Sequence, residues 1–163
     1  MPSRSFGRAV LFLLIGLAGC TSTGPSDLRL LDAARTRWAE SGLDLHYQAE
    51  LTRSCFCGFP DAFPRTRIEV VDGELVGAWD VASGNAVPRG FLNRFPSVTE
   101  LFDLIQFEIA AKSAEVRVEY HPEHGAPMQI YIDRIRNAID DEVAIAIHLL
   151  DDGVLDATPA RLR

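Results

Sequence analysis

The sequence predicts an α+β fold: a helix–three-strand unit repeated twice, forming one antiparallel sheet with both helices on one face. Three observations carry this. Beyond residue 26 the chain reads helix, three strands, helix, three strands, which looks like one pattern written twice. The strand segments alternate apolar and polar residues with a period of two, the signature of strands buried on one side. Within each triplet the strands are separated by turn residues, of which Asp72-Gly73 is the strongest hairpin signal.

The first helix is capped by Ser26 or Asp27 and repeats Leu28, Leu31, Ala34, Arg35 and Trp38 at helical spacing until Gly42 stops it. Leu43, Leu45, Tyr47, Ala49 and Leu51 then alternate as a first strand. Ser54 to Pro64 reads as irregular chain, rich in Phe and Pro. Arg65 to Val71 and Glu74 to Val81 are the second and third strands, joined by Asp72-Gly73. Ala82 to Pro96 is a loop punctuated by Gly84, Pro88, Gly90 and Pro96. Ser97 with Glu100 three residues on is a capping box, and Val98, Leu101, Phe102, Ile105 and Ile109 form the apolar stripe of the helix that follows. Glu115 to Tyr120, Met128 to Ile135 and Glu142 to Leu150 complete the second triplet, with turns at Pro122–Gly125 and Asn137–Asp141. In this scheme Tyr47 of the first unit answers Tyr120 of the second.

Upstream of this domain the chain has the order of an export signal. Arg4 and Arg8 form a positive start, and Ala9 to Ala18 is an apolar stretch, too short for a membrane-spanning helix, which needs ~20 residues. It ends in Leu17-Ala18-Gly19-Cys20, which resembles the bacterial lipobox, so residues 1–19 are expected to be removed and Cys20 lipidated. Several acyl chains anchor stably where one does not. Thr21 to Ser26 is a polar tether, 27–150 a single domain, and 151–163 a loose tail. The expected location is the cell envelope, lipid-anchored, and the outer membrane facing the periplasm if the cell has two membranes.

With 47% apolar and 24% charged residues the composition is that of a globular protein. The net charge of −7 and the lack of a basic patch argue against a nucleic-acid partner. The motifs of serine hydrolases, zinc proteases, nucleotide-binding loops and dinucleotide folds are all missing, as is Cys-x-x-Cys, so no enzyme and no cofactor is expected.

Cys55 and Cys57 are the sharpest chemical feature. With Cys20 taken by lipid they remain as an even pair in an oxidising compartment. Residues two apart on a strand lie roughly 6.5–7 Å apart at Cα, and a disulfide spans about 4.4–6.8 Å. A bend at Gly58 and Pro60 would close the gap. A structural disulfide, a strained redox-active one, a reduced pair holding soft metal, and a free pair with no role all remain open. Phe56, Phe59 and Phe63 either fold onto the core or form an exposed contact patch. His121 and His124 form His-x-x-His across a turn, a weak metal candidate because zinc needs three or four converging ligands. Asp140-Asp141-Glu142 with Asp133 lacks the spacing of a calcium loop. His148 alternates with apolar neighbours and is expected on the opposite sheet face.

Taken together, Trp38, Tyr47, Cys55-Phe56-Cys57, Val71-Asp72-Gly73, Val98-Thr99-Glu100-Leu101-Phe102, Tyr120, Gly125-Ala126-Pro127, Ile132-Asp133 and Asp140-Asp141-Glu142 resemble a family of bacterial, mostly exported proteins known as domain of unknown function 6174. The resemblance runs from about Trp38 to Leu149. The chain departs from it at His121, where Asp is expected, and at Ala126, where an aromatic is commoner. The resemblance implies a compact exported domain and implies no activity. The expected function is a non-catalytic, membrane-tethered envelope protein that binds a protein or small ligand on its free sheet face. The alternative is a redox or soft-metal-handling protein built on Cys55 and Cys57.

Overall fold

A computed structural model describes residues 25–55, 62–138 and 140–150. The expected signal, Cys20, the tether through Gly24, Phe56, Cys57, Phe59 and the tail lie outside those residues. The element order is α1 (Pro25–Glu40), β1 (His46–Cys55), β2 (Phe63–Val71), β3 (Glu74–Asp80), a 3-10 helix (Arg89–Arg94), α2 (Val98–Ala111), β4 (Glu115–Tyr120), β5 (Pro127–Asp133) and β6 (Val143–Leu149). The protein is therefore α+β, with two α-helices and an antiparallel six-stranded sheet among the described residues. Among the described residues no helix is long and apolar enough to cross a membrane.

The strands lie in the order β3-β2-β1-β6-β5-β4. The first strand of the chain thus meets the last at the centre of the sheet, while β3 and β4 form its edges. Tyr47 and Tyr120, matched by sequence pattern, occupy different places: Tyr47 is on a central strand and fully buried, Tyr120 is on an edge strand and half-buried. The β2–β3 hairpin closes through Asp72 and Gly73 with φ of 53° and 78°. Two consecutive left-handed residues define the type I′ turn, whose twist matches that of the strands.

One core joins the inward residues of both helices to one alternate set of strand residues. Leu31, Ala34 and Trp38 come from α1, and Val98, Leu101, Phe102, Ile105 and Ile109 from α2. Across the sheet, Ala49 stands between Ile68 and Leu149, Leu51 between Thr66 and Ile147, and Ile130 opposite Ile145. The capping box at Ser97 and Glu100 forms in both directions. Tyr47 adds to it from the sheet: its hydroxyl accepts the Val98 N–H at 2.7 Å. Burial raises the phenol's proton affinity well above the ordinary value. At the far end of α2, Glu108 is buried and accepts two hydrogen bonds from Arg134 (2.9 and 2.7 Å) and one from Ser113 (2.6 Å). On the outside, Arg35 of α1 reaches Asp103 at 3.0 Å and Gln106 at 3.1 Å on α2.

Several expectations need correction. The alternation of Leu43 and Leu45 does not belong to a strand. β1 begins at His46, because Gly73 donates its N–H to the Leu45 carbonyl and the turn closes there, leaving Leu45 exposed. β1 instead runs on to Cys55, and β2 starts at Phe63, two residues earlier than expected. Phe63 packs on Phe95, ring centroids 4.8 Å apart, at the margin of the core. β5 stops at Asp133, so Ile135 lies in the following turn and is exposed. The segment read as loop from Ala82 contains the 3-10 helix, and Ala86 makes a bridge to Trp79 on the edge of β3.

Candidate functional site

The strand residues that alternate with the core residues form a second, mostly polar surface. From edge to edge it carries Trp79 on β3, Arg65, Arg67 and Glu69 on β2, and Gln48, Glu50, Thr52 and Ser54 on β1. It continues with Ala144, Ala146 and His148 on β6, Gln129 and Tyr131 on β5, and Arg117 and Glu119 on β4. Most of these side chains are exposed or half-buried, in contrast to the other set.

Glu50 is the exception, with a side chain only 7% exposed. Its cross-strand neighbours are Arg67 on β2 and His148 on β6. Arg65 ion-pairs with one carboxylate oxygen of Glu50, and Arg67 lies 3.6 Å from the other. A carboxylate shielded from water needs such partners, because desolvation penalises an unpaired charge heavily. The arginine side chains themselves remain half-exposed or more.

Beside Glu50 the floor drops. Thr52, Ser54, Ala144 and Ala146 are small, so the larger residues around them enclose a trough of about 730 Å³ walled by Arg117, Glu119, Gln129 and Tyr131. A second hollow of about 350 Å³ continues over Glu50, Arg65, Gln129 and His148. The Arg117 guanidinium sits 4.4 Å from the Tyr131 ring centroid and 3.2 Å from Glu115. The Tyr131 hydroxyl binds its proton more tightly than usual, through loss of water and then through the carboxylates of Glu142, Asp133 and Glu115.

At the β3 edge a further hollow of about 340 Å³ is lined by Gln48, Arg67, Glu69, Trp79 and Asp80. Gln48 donates to Glu69 at 3.3 Å. The Asp80 carboxylate accepts from the Ser83 hydroxyl and backbone N–H, both at 2.7 Å. Those bonds hold its pKa below the ordinary value, the hydroxyl contributing most.

The histidines are placed differently from a metal site. The His121 and His124 rings stack at 3.7 Å with an interplanar angle of 2°. Each Nδ1 accepts backbone N–H groups: His121 from Glu123 at 3.3 Å, His124 from Ala126 at 3.2 Å. Ligating nitrogens bind an ion near their ring plane, so two parallel stacked rings cannot share one. His46 is paired at 3.3 Å with Asp72 at the β2–β3 turn. Asp141 accepts the Ile135 N–H at 2.6 Å and so closes its own turn. Among the described residues no group of three or more His, Cys, Asp and Glu is placed to hold a metal ion. Cys55 ends β1 half-buried against the core and has an interaction partner, while Cys57 is outside the described residues.

Sequence reading placed His148 on this surface, and the register agrees. It missed Glu50, Arg65, Arg67, Tyr131 and Trp79. The available signal was Gly77 two residues before a tryptophan, since glycine inside a strand marks a close approach.

The arrangement places donors, acceptors and aromatic rings around shallow hollows. The Family of unknown function (DUF6174) matches residues 30–152, most of the chain, and the protein belongs to that family. No curated protein and no solved structure matches it.

Proposed function

We propose that this protein is a non-catalytic, lipid-tethered binding protein of the bacterial envelope, and that its ligand lies on the polar sheet surface. The observation that carries the reading is the trough over Thr52, Ser54, Ala144 and Ala146, whose small side chains leave about 730 Å³ open between Arg117, Tyr131 and their neighbours. Binding sites of small molecules span about 300–1,000 Å³ with a few convergent polar groups. In this reading residues 1–19 direct export and Cys20 carries the lipid. Cys55 bonds to Cys57 and stiffens the end of β1. Both helices cover the core face of a pattern written twice, supported by the Arg35–Asp103 contact between them and by the shared core.

The test is amide NMR on the isotope-labelled soluble chain from Thr21 onward, titrated with envelope extract of the source bacterium. Shifts centred on Thr52, Ser54, Gln129, Ala144 and Ala146 are expected. Shifts confined to the outer surfaces of α1 and α2 would overturn the proposal. Intact mass of the membrane-bound protein, with Cys20→Ser as control, tests the anchor: a diacylglycerol-sized increment that disappears in the variant is expected.

A further inference from the structure

We infer that the Trp79 end of this surface is a binding platform for a neutral sugar ring of an oligosaccharide. The inference rests on the proposed function and gives its ligand a chemical class.

Glycine inside a strand weakens it and leaves room for something to approach the backbone. Here the approaching group is the indole of Trp79, two residues on. The tip of its six-membered ring occupies the space a Gly77 side chain would take. The indole therefore lies along its own strand, held at the sheet surface, half-buried and bordering the 340 Å³ hollow. Arg67 is its cross-strand neighbour and Gln48 and Glu69 lie beyond it.

A pyranose presents C–H bonds on a face and hydroxyls around its edge. It needs one flat apolar surface beneath it and two-pronged polar groups to the side. The hollow supplies both, and Trp79 is the only ring among its lining residues. A planar base held between two rings would need a second aromatic. The Gln48–Glu69 hydrogen bond fixes the amide and carboxylate side by side, so vicinal hydroxyls meet an acceptor and a donor together. Charge disfavours an anionic ligand. Arg67 is shared with Glu50, Glu69 and Asp80 are acids bordering the hollow, and the chain as a whole carries −7, which repels polyanions.

The β3 edge also argues against an added peptide strand. Trp79 already bridges Ala86, the Asp80 N–H bonds the Asn85 carbonyl at 3.0 Å, and the Val87 N–H bonds the Ala78 carbonyl at 2.8 Å. Strand addition needs those backbone groups free.

The test is titration of the soluble chain with four probes: maltotetraose, a tetramer of β-linked N-acetylglucosamine, a heparin fragment and adenosine. Binding is followed by the Trp79 indole NMR signal and by fluorescence, with Trp38 buried and serving as internal reference. A response to at least one neutral oligosaccharide is expected. Affinity should fall tenfold or more in Trp79→Leu and in Glu69→Ala, with the circular dichroism of Glu69→Ala unchanged. Silence of Trp79 towards both neutral tetramers up to 20 mM (~20 mM is weak even for a single sugar contact) would overturn the inference, as would a response to heparin or adenosine alone. If Trp79 is silent while envelope extract still shifts Ala144 and Ala146, this inference fails and the proposed function stands. If neither responds, both fail.

Discussion

Replacing Tyr47 with Phe removes a single oxygen, and the structure assigns that oxygen one task. It accepts the Val98 N–H at 2.7 Å, at the first residue of α2. Of the first-turn donors, Glu100 bonds to the Ser97 side chain and Ser97 bonds back to Glu100. Val98 depends on a residue 51 positions away in the chain. Val98 and Tyr47 are both buried, so in the variant the freed N–H has no ready access to water. Leaving a buried donor unpaired costs about 1–3 kcal/mol. For a domain of this size roughly 4 °C of Tm accompanies each kcal/mol, so a drop of roughly 4–12 °C is expected. Urea denaturation gives the free energy directly, and the m-value should not change, since no surface is gained or lost. Tyr120→Phe is the control, because its ring is half-buried on an edge strand. A Tyr47→Phe loss below about 0.5 kcal/mol, or one no larger than the control's, would refute the claim that this bond ties the sheet to α2.

Three further outcomes follow from the same structure. Arg134→Ala strands the buried Glu108 carboxylate. It should cost about 2–4 kcal/mol by thermal melting, less than for a fully buried pair because Arg134 is 40% exposed, while Glu108→Leu with Arg134→Met should recover most of it. Gly125→Ala should abolish folding or cost more than about 2 kcal/mol by denaturation, because φ is +78° there and a side chain would overlap the Ala34 backbone of α1. Stability should also fall in alkali. Burial raises Tyr120 to about 12 and Tyr47 further, from 10.0. A raised folded-state pKa contributes fully below the unfolded value and is lost as pH climbs through the folded one, so unfolding free energy should fall from about pH 10 to about pH 12, less steeply in Tyr47→Phe.

Local signals with a complete physical mechanism were legible in the sequence. Asp72-Gly73 needs only two left-handed residues, and the capping box needs only Ser97 and Glu100, so both formed as read. β6 was legible because Val143, Ile145 and Ile147 alternate without interruption. The failures have a common cause in contacts distant along the chain. Leu45 keeps the period of a strand, yet the hairpin closes across it and ends the ladder. The 3-10 helix at Arg89–Arg94 has no buried residue and hence no apolar period to detect. Glu50 alternates with the apolar residues of β1, and only the register that places Arg65 and Arg67 around it buries it. Nor does the order of helices and strands along the chain specify pairing: β1 meets β6, so Tyr47 and Tyr120, matched by pattern, have different surroundings.

The most direct test of the central claim is in-cell photo-cross-linking of the full-length chain, with the photoreactive residue placed at Ala146 in the trough or at Ala110 on α2. Both positions are exposed, so access alone does not favour either. A light-dependent adduct of defined mass at Ala146, much weaker at Ala110, is the predicted result. Equal adducts at both positions, or an adduct at Ala110 alone, would contradict the assignment of the sheet surface as the binding site.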